Sequence, residues 1–223
     1  MSTVTPETEV ASVVDGEAVH VRWIMPEGFF ELPMDVESID ELADELIELA
    51  KQVMPKGTSD MQYQWAALCA GNYDAFVEGG VQYSGFVVTE VEETRCTATV
   101  HVSITDIAEE ARFNPVRATA DALSALGQGE VAEISLPCGP AVSCIGARQA
   151  TIDASLAPSG QEEPFWTSFI QVHVPLPNGT VVVLEMVTPS QEGWDVFSSM
   201  FAGVLKSLSV FDDQGNLLGP SRD

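Results

Sequence analysis

Basic residues are scarce in this sequence, which has nine lysines and arginines against 34 aspartates and glutamates and a formal net charge of −25. Such a negative field repels phosphate backbones and anionic membranes, so nucleic-acid binding is not expected. The excess is uneven, because residues 1–110 hold 22 acidic and four basic residues. The expected partner is therefore another protein, and a basic one is electrostatically favoured, although acidity that serves solubility alone is the simpler interpretation.

Long apolar runs are also missing, since no stretch approaches the roughly 18 residues that a membrane span needs. The first ten residues have neither the basic nor the apolar region of an export signal, so we expect a cytoplasmic protein with no membrane span. The cysteines are spread too widely for a disulfide framework and are expected to be reduced. Cys138 and Cys144 flank a Gly-Pro turn and are interpreted as small buried residues rather than half of a metal site.

The motifs that carry common chemistries are absent as well. The sequence has no Gly-x-Ser-x-Gly elbow, no phosphate-binding loop, no His-Glu-x-x-His pair and no alternating aspartate loop for calcium. Gly127-Gln128-Gly129 is too short for a dinucleotide-binding loop and follows a predicted helix rather than a strand. We therefore predict that the protein is not an enzyme and needs no cofactor.

His20, His101 and His173 are the three histidines, and each lies between valines on a predicted strand. If those strands are neighbours, the three imidazoles could bind a divalent metal such as zinc and support a metal-dependent enzyme. Three unrelated, half-buried histidines are the simpler interpretation, because spacing along the chain does not place strands side by side.

One predicted helix is unusually acidic. Ser38 and Glu41 have the spacing of a capping box, and apolar residues then recur at helical intervals as far as Val53. The acidic residues of this helix fall on its polar side, which favours a solvated face over acid–base chemistry and makes them the candidate contacts for a protein partner. They are Asp40, Glu41, Asp44, Glu45 and Glu48.

The remaining pattern predicts one α+β domain over residues 18–211, with a flexible acidic tail at 1–17 and a second tail at 212–223. Apolar residues make up 45% of the chain and charged residues 19%, as in a folded globular protein. Short alternating segments linked by tight turns predict a twisted antiparallel sheet of five to seven strands with helices packed on its faces. A second helical pattern covers 60–78, and a helix over 106–126 must restart near Pro115.

The C-terminal region gives the clearest structural signal. Residues 166–187 read as two strands joined by Asn178-Gly179, a dipeptide typical of hairpin turns. Thr188, Pro189 and Gln191 then have the spacing of a capping box with proline at the first helical position. Four side chains are predicted to pack the following helix against the sheet, namely Trp194, Phe197, Phe201 and Val204.

This block resembles the closing hairpin and helix of the Mog1/PsbP/DcrB-like fold family. The resemblance rests on Val172–Val174, the Asn178-Gly179 turn, Val181–Val187, Thr188-Pro189 and Trp194, and more loosely on the segment from Pro26 to Pro33. It implies an α+β fold but transfers no functional residue, because relatives in this family share no chemistry.

From these observations we expect a non-enzymatic adaptor or accessory protein that contacts another protein through an acidic surface. A small-molecule-binding protein with a pocket between sheet and helix is the alternative. Four aromatic residues could line such a pocket, although core packing is the commoner role for such positions: Trp23, Trp65, Phe86 and Phe169.

Overall fold

The computed structural model describes residues 7–14, 17–152, 154, 157 and 159–219. The strands in this part of the chain are β1 (Glu7–Val14), β2 (Glu17–Ile24), β3 (Phe29–Glu31), β4 (Val81–Val91), β5 (Thr94–Asp106), β6 (Gly129–Leu136), β7 (Gly139–Ile152), β8 (Glu163–Pro175), β9 (Thr180–Thr188) and β10 (Ser209–Asp212). The helices are α1 (Ile39–Val53), α2 (Ser59–Ala70), α3 (Tyr73–Glu78), α4 (Pro115–Leu126) and α5 (Trp194–Ser207), and two short 3₁₀ turns cover Glu109–Ala111 and Gln191–Gly193.

The chain folds as a single α+β domain, as the sequence predicted, and its strands form two antiparallel sheets. The larger sheet has seven strands in the order β3-β4-β5-β9-β8-β7-β6. The smaller sheet, which the sequence did not predict, has the order β1-β2-β10. Helix α5 packs against β2 and β9, so it lies between the two sheets.

Side chains on one side of the larger sheet, here called the closed face, are almost entirely buried; they include Ala98 and Val100 on β5 and Leu184 on β9. They form one core with α5 and with the valines of β2. Four side chains on one side of α5 are buried, namely Phe197, Phe201, Val204 and Leu205. The predicted packing of α5 is therefore confirmed, with Trp194 only partly buried.

The start of α5 differs from the prediction. Thr188 is the last residue of β9, and its hydroxyl donates to the Thr97 carbonyl at 2.6 Å and accepts from the Ser190 amide at 3.0 Å. The capping box predicted at Thr188 is therefore wrong, because the hydroxyl of this residue is hydrogen-bonded to the neighbouring strand β5. The helix begins at Trp194 after Gly193, where a Cβ atom would lie only 2.4 Å from the Phe197 ring.

The predicted hairpin turn is confirmed between β8 and β9. Gly179 has a φ of +83°, which glycine adopts without strain, and the Leu176 amide donates to the Thr180 carbonyl at 2.7 Å. The Asn178 side-chain amide donates to the Ser12 hydroxyl at 3.1 Å, and that hydroxyl lies 3.0 Å from the Thr180 hydroxyl. The turn is thus tied to β1 by a buried polar network.

Both predicted tails need correction within the described residues. Glu7–Val14, assigned to a flexible tail, instead pairs along its whole length with β2 and buries Val10. At the other end, the chain turns after Asp212, whose carboxylate accepts from the Asn216 amide at 2.7 Å. The Leu218 amide then donates to the Val210 carbonyl at 2.6 Å, so this segment folds back on β10. The predicted tail residues 1–6, 15–16 and 220–223 lie outside the described residues.

The predicted helices are present with one change. Ser38 caps α1 by accepting from the Glu41 amide at 3.2 Å, and α4 begins at Pro115 as expected. The single pattern over 60–78 is two helices, because α2 ends at Ala70, before Gly71, and α3 begins at Tyr73. No helix in the described part of the chain is long and apolar enough to cross a membrane.

Truncation of Phe201 tests the closed-face core. This side chain is only 2% exposed, and F201A is expected to lower the free energy of unfolding by about 3–5 kcal/mol through lost burial and the cavity left behind. V196A on the same helix, where the side chain is 40% exposed, is the matched control and should cost much less. Urea denaturation measures both, and similar losses would contradict the assigned packing.

Candidate functional site

The three histidines occupy separate environments. His20 lies on β2 in the smaller sheet, where its Nδ1 is 2.6 Å from a carboxylate oxygen of Glu9. His101 and His173 lie on β5 and β8 of the larger sheet and contact different partners. The described residues contain no group of three histidine, cysteine, aspartate or glutamate side chains that could hold a metal ion. The structure therefore does not assemble the three-histidine metal site that the sequence suggested.

A row of polar side chains crosses the other side of the larger sheet, here called the open face and defined by Thr99, His101 and Glu185. Strand register makes Ser84, His101, Glu185 and Gln171 successive cross-strand partners on β4, β5, β9 and β8. The Ser84 hydroxyl lies 3.0 Å from Nδ1 of His101. Arg148 on β7 donates to both carboxylate oxygens of Glu185, at 2.9 and 3.2 Å.

A cavity of about 390 Å³ lies between the open face and the helices α1, α2 and α3. Its walls are mainly apolar and aromatic, and Trp65 of α2 contacts Phe86 of β4 with ring centroids 5.4 Å apart. Phe76 of α3 lies over His101, with ring centroids 5.1 Å apart. The lining includes Trp65, Cys69, Phe76, Phe86, Thr99 and His101.

A polar groove of about 320 Å³ continues from this cavity along the open face. The two spaces share Phe76, Thr99 and His101, so these side chains stand at their junction. Beyond the junction the groove is bordered by the salt-bridged pair Arg148 and Glu185. The site therefore combines an apolar compartment with a polar mouth.

Burial makes His101 a neutral imidazole. Desolvation is the main cause and lowers its pKa, Glu185 acts in the opposite direction and raises it, and Arg148 lowers it further. Nδ1 is paired with Ser84, whereas Nε2 has no hydrogen-bond partner in the part of the chain that the structure describes. Because the ring borders both spaces, this nitrogen is available to a bound molecule.

The cysteines offer little nucleophilic character. Burial raises the pKa of Cys69, which lines the cavity, to about 12, so its thiol stays protonated at neutral pH. Burial also raises the pKa of Cys138 and Cys144. All four cysteines are free, Cys144 is buried and Cys138 is partly buried.

Two of the three helices that cover the cavity, α2 and α3, contribute few buried side chains. Ala66 is the only buried residue of α2, and α3 contains none. The pair Gly79-Gly80 follows α3, and Gly80 has a φ of +67°. Helices with so few buried contacts open at low free-energy cost, so we expect α2 and α3 to be the part of the cavity wall that opens most readily.

The acidic residues of α1 lie on its solvent-exposed side. Glu41 accepts a hydrogen bond from the Glu37 amide at 2.8 Å, and Glu48 pairs with Lys51. Asp44, Glu45 and Glu48 also border a separate cleft of about 720 Å³ between α1 and β3. Asp40 and Glu41 are exposed near the start of the helix and do not line that cleft.

Sequence reasoning identified part of this site. Trp65 and Phe86, named as aromatics that could line a pocket, do line the cavity, whereas Trp23 and Phe169 are buried in the core. Gln171, Arg148 and Glu185 were missed. A signal for Glu185 was present, because it is a carboxylate in the middle of an otherwise apolar strand.

Comparisons with known proteins add one structural likeness. No protein-family model matches the chain, and no curated protein matches it. The chain is similar to the crystal structure of LpqN, described as involved in cell envelope biogenesis of Mycobacterium tuberculosis, with 12% identity over 92% of this chain and 91% of that one. The TM-score is 0.38, a level of likeness that carries no functional argument.

Protonation of His173 gives a test of open-face burial. Desolvation lowers its pKa from 6.5 to about 4, so the unfolded chain binds the extra proton between these values and stability falls as pH drops through that window. H173Q removes this contribution. When the pH falls from 7 to 4, the wild type should therefore lose on the order of 2 kcal/mol more unfolding free energy than the variant. Denaturation at several pH values measures the unfolding free energy of both proteins. The same dependence on pH in wild type and H173Q would contradict this prediction.

Proposed function

We propose that this is a non-enzymatic binding protein whose ligand occupies the cavity between the open face and helices α1–α3. The observation that carries the proposal is an apolar space of about 390 Å³ with an available imidazole nitrogen at its mouth. Pockets of this size, mainly apolar with a few convergent polar groups, are the usual form of small-molecule sites. The adjoining thinly packed helices supply a route for entry.

The lining indicates the chemistry of the ligand. Trp65, Phe76 and Phe86 offer flat apolar surfaces that suit an aromatic or branched aliphatic body. Nε2 of neutral His101 can donate or accept one hydrogen bond according to its tautomer. Asn72, Arg95 and Thr97 add further polar groups to the lining. A compact, mostly apolar molecule with a small number of hydrogen-bonding groups therefore fits the cavity best.

The same groups favour binding over catalysis. The Ser84 hydroxyl, the partner of His101, is fully buried and does not line the cavity, so it cannot reach a bound molecule as a nucleophile. The Cys69 thiol borders the cavity but remains protonated at neutral pH, as its raised pKa requires. Binding of a ligand does not require either the Ser84 hydroxyl or the Cys69 thiol to react.

A cytoplasmic adaptor or accessory role, the function expected from the acidic charge, is the second candidate. The observation that favours it is the acidic cleft beside α1, where Asp44, Glu45 and Glu48 meet the edge of the larger sheet. This role uses a different surface and does not compete with ligand binding in the cavity.

We also propose that the chain belongs with the Mog1/PsbP/DcrB-like fold family. Support comes from its antiparallel sheet, from the hairpin of β8 and β9, and from the closing helix α5 that follows it. This assignment concerns the fold and adds nothing to the choice of ligand.

Filling the cavity tests the proposed function. The neutral dye N-phenyl-1-naphthylamine should bind the wild-type protein saturably. Its apolar rings suit an apolar cavity, and its binding does not depend on the net charge of the protein. Thr99 lies on the cavity floor, and T99F should weaken dye binding at least about tenfold by occupying that volume. T94F, at an exposed position at the start of the same strand, should bind as wild type does.

Two results would overturn the cavity as the binding site. One is unchanged dye affinity in T99F; the other is an equal loss in T94F. Urea denaturation of both variants shows that a loss of binding is not a loss of folding. Amide hydrogen exchange adds a positional readout, because a bound dye should slow exchange in α2 and α3 while α5 changes little.

A further inference from the structure

Strand β3 forms one edge of the larger sheet, and it is paired with β4 on one side only. The Leu32 amide donates to the Ser84 carbonyl at 2.8 Å, and Phe30 stands opposite Phe86. Because antiparallel strands alternate, the backbone N–H and C=O groups of the intervening residues point away from β4. Within the described chain, no hydrogen-bond partner meets the outward groups of Phe29 and Glu31.

This edge borders the cleft of about 720 Å³. One wall is the continuous segment 29–35, and the other is the side of α1 that carries Asp44, Glu45 and Glu48. Leu49 is buried, and Phe29 and Phe30 are partly buried, so the cleft has an apolar floor. An open strand edge facing a helix across a groove is the arrangement that strand-adding peptide-binding domains use.

The charge of the cleft selects its occupant. Its lining includes five carboxylates and, within the described chain, no lysine, arginine or histidine; the five are Glu31, Asp35, Asp44, Glu45 and Glu48. Glu48 is already paired with Lys51, which lies outside the lining. Desolvation raises the pKa of Glu31, so a cation placed beside this carboxylate would relieve an unfavourable burial of charge.

We propose that this cleft binds an extended, lysine- or arginine-containing segment of a partner protein, which adds to the outer edge of β3 as a further strand. The β3 backbone would supply the hydrogen bonds, and the carboxylates of α1 would pair with basic side chains that project from alternate positions. The apolar side chains between them would point to the other face of the sheet and cover Phe29.

A second copy of this chain is a poor occupant. The protein carries a net charge of −25, so bringing an acidic strand into an acidic cleft costs electrostatic energy. Strand β3 is also only three residues long, which limits pairing that depends on the backbone alone. Added charge pairing is therefore needed, and it favours a basic partner.

The cleft is distinct from the cavity that carries the proposed function. Of the residues that line the two spaces, they share only Leu32. Dye binding in the cavity and peptide binding in the cleft can therefore fail independently.

Neutralising two carboxylates, either on α1 beside the cleft or on the opposite edge strand β6, tests the proposal. The probe is a fluorescently labelled eight-residue peptide of alternating lysine and valine, and its affinity is measured by fluorescence polarisation. D44N/E45Q should weaken binding about tenfold through two lost charge pairs. E130Q/E133Q removes the same charge from exposed positions on β6, the opposite edge strand, and should change affinity less than about twofold. A peptide with glutamate in place of lysine should not bind.

Strand addition has its own signature. Peptide binding should slow hydrogen exchange at the Phe29 and Glu31 amides, and N-methylation of alternate peptide amides should abolish binding. Absence of binding, equal weakening by the two double variants, or binding without protection of these amides would each overturn the proposal. Equal weakening would indicate general attraction to an acidic protein.

Discussion

Burial of the closed face is the constraint on which the rest of the structure depends. Val100 of β5 and Leu184 of β9 lie at the centre of the larger sheet and are at most 1% exposed. Their apolar surface is covered by the helix α5 and by the valines of β2, which form one hydrophobic core with it. The open face is left to the helices α1–α4, which cover its two ends and leave space between them.

Electrostatics explains why that space stays uncovered. Glu185 lies on a central strand with its side chain only 16% exposed, and a carboxylate there requires a partner. Arg148 supplies it from two strands away, with its guanidinium 5.1 Å from the centre of the Phe169 ring. An apolar cover over this pair would remove the remaining water from both charges at a cost of several kcal/mol. The polar groove is thus a consequence of placing an ion pair on a sheet.

Local patterns predicted the local elements well and the site poorly. The turn at Asn178-Gly179 and the buried stripe of α5 follow from turn chemistry and helical periodicity, which a sequence displays directly. The capping box failed because Thr188 is held by the neighbouring strand at Thr97, a contact between residues distant in sequence. For the same reason the meeting of Ser84 with His101 and of His101 with Glu185 could not be predicted, since it depends on the register of three strands.

The two proposed sites would respond differently to salt, because they depend on different forces. Binding of the neutral dye depends on apolar burial, which salt leaves nearly unchanged or strengthens slightly. The cleft carries exposed carboxylates, and interactions of this kind are screened over a Debye length of about 10 Å at 0.1 M salt and about 3 Å at 1 M. Peptide affinity should therefore fall steeply over that range while dye affinity holds. A steep fall for the dye would place it against the acidic surface instead of the cavity.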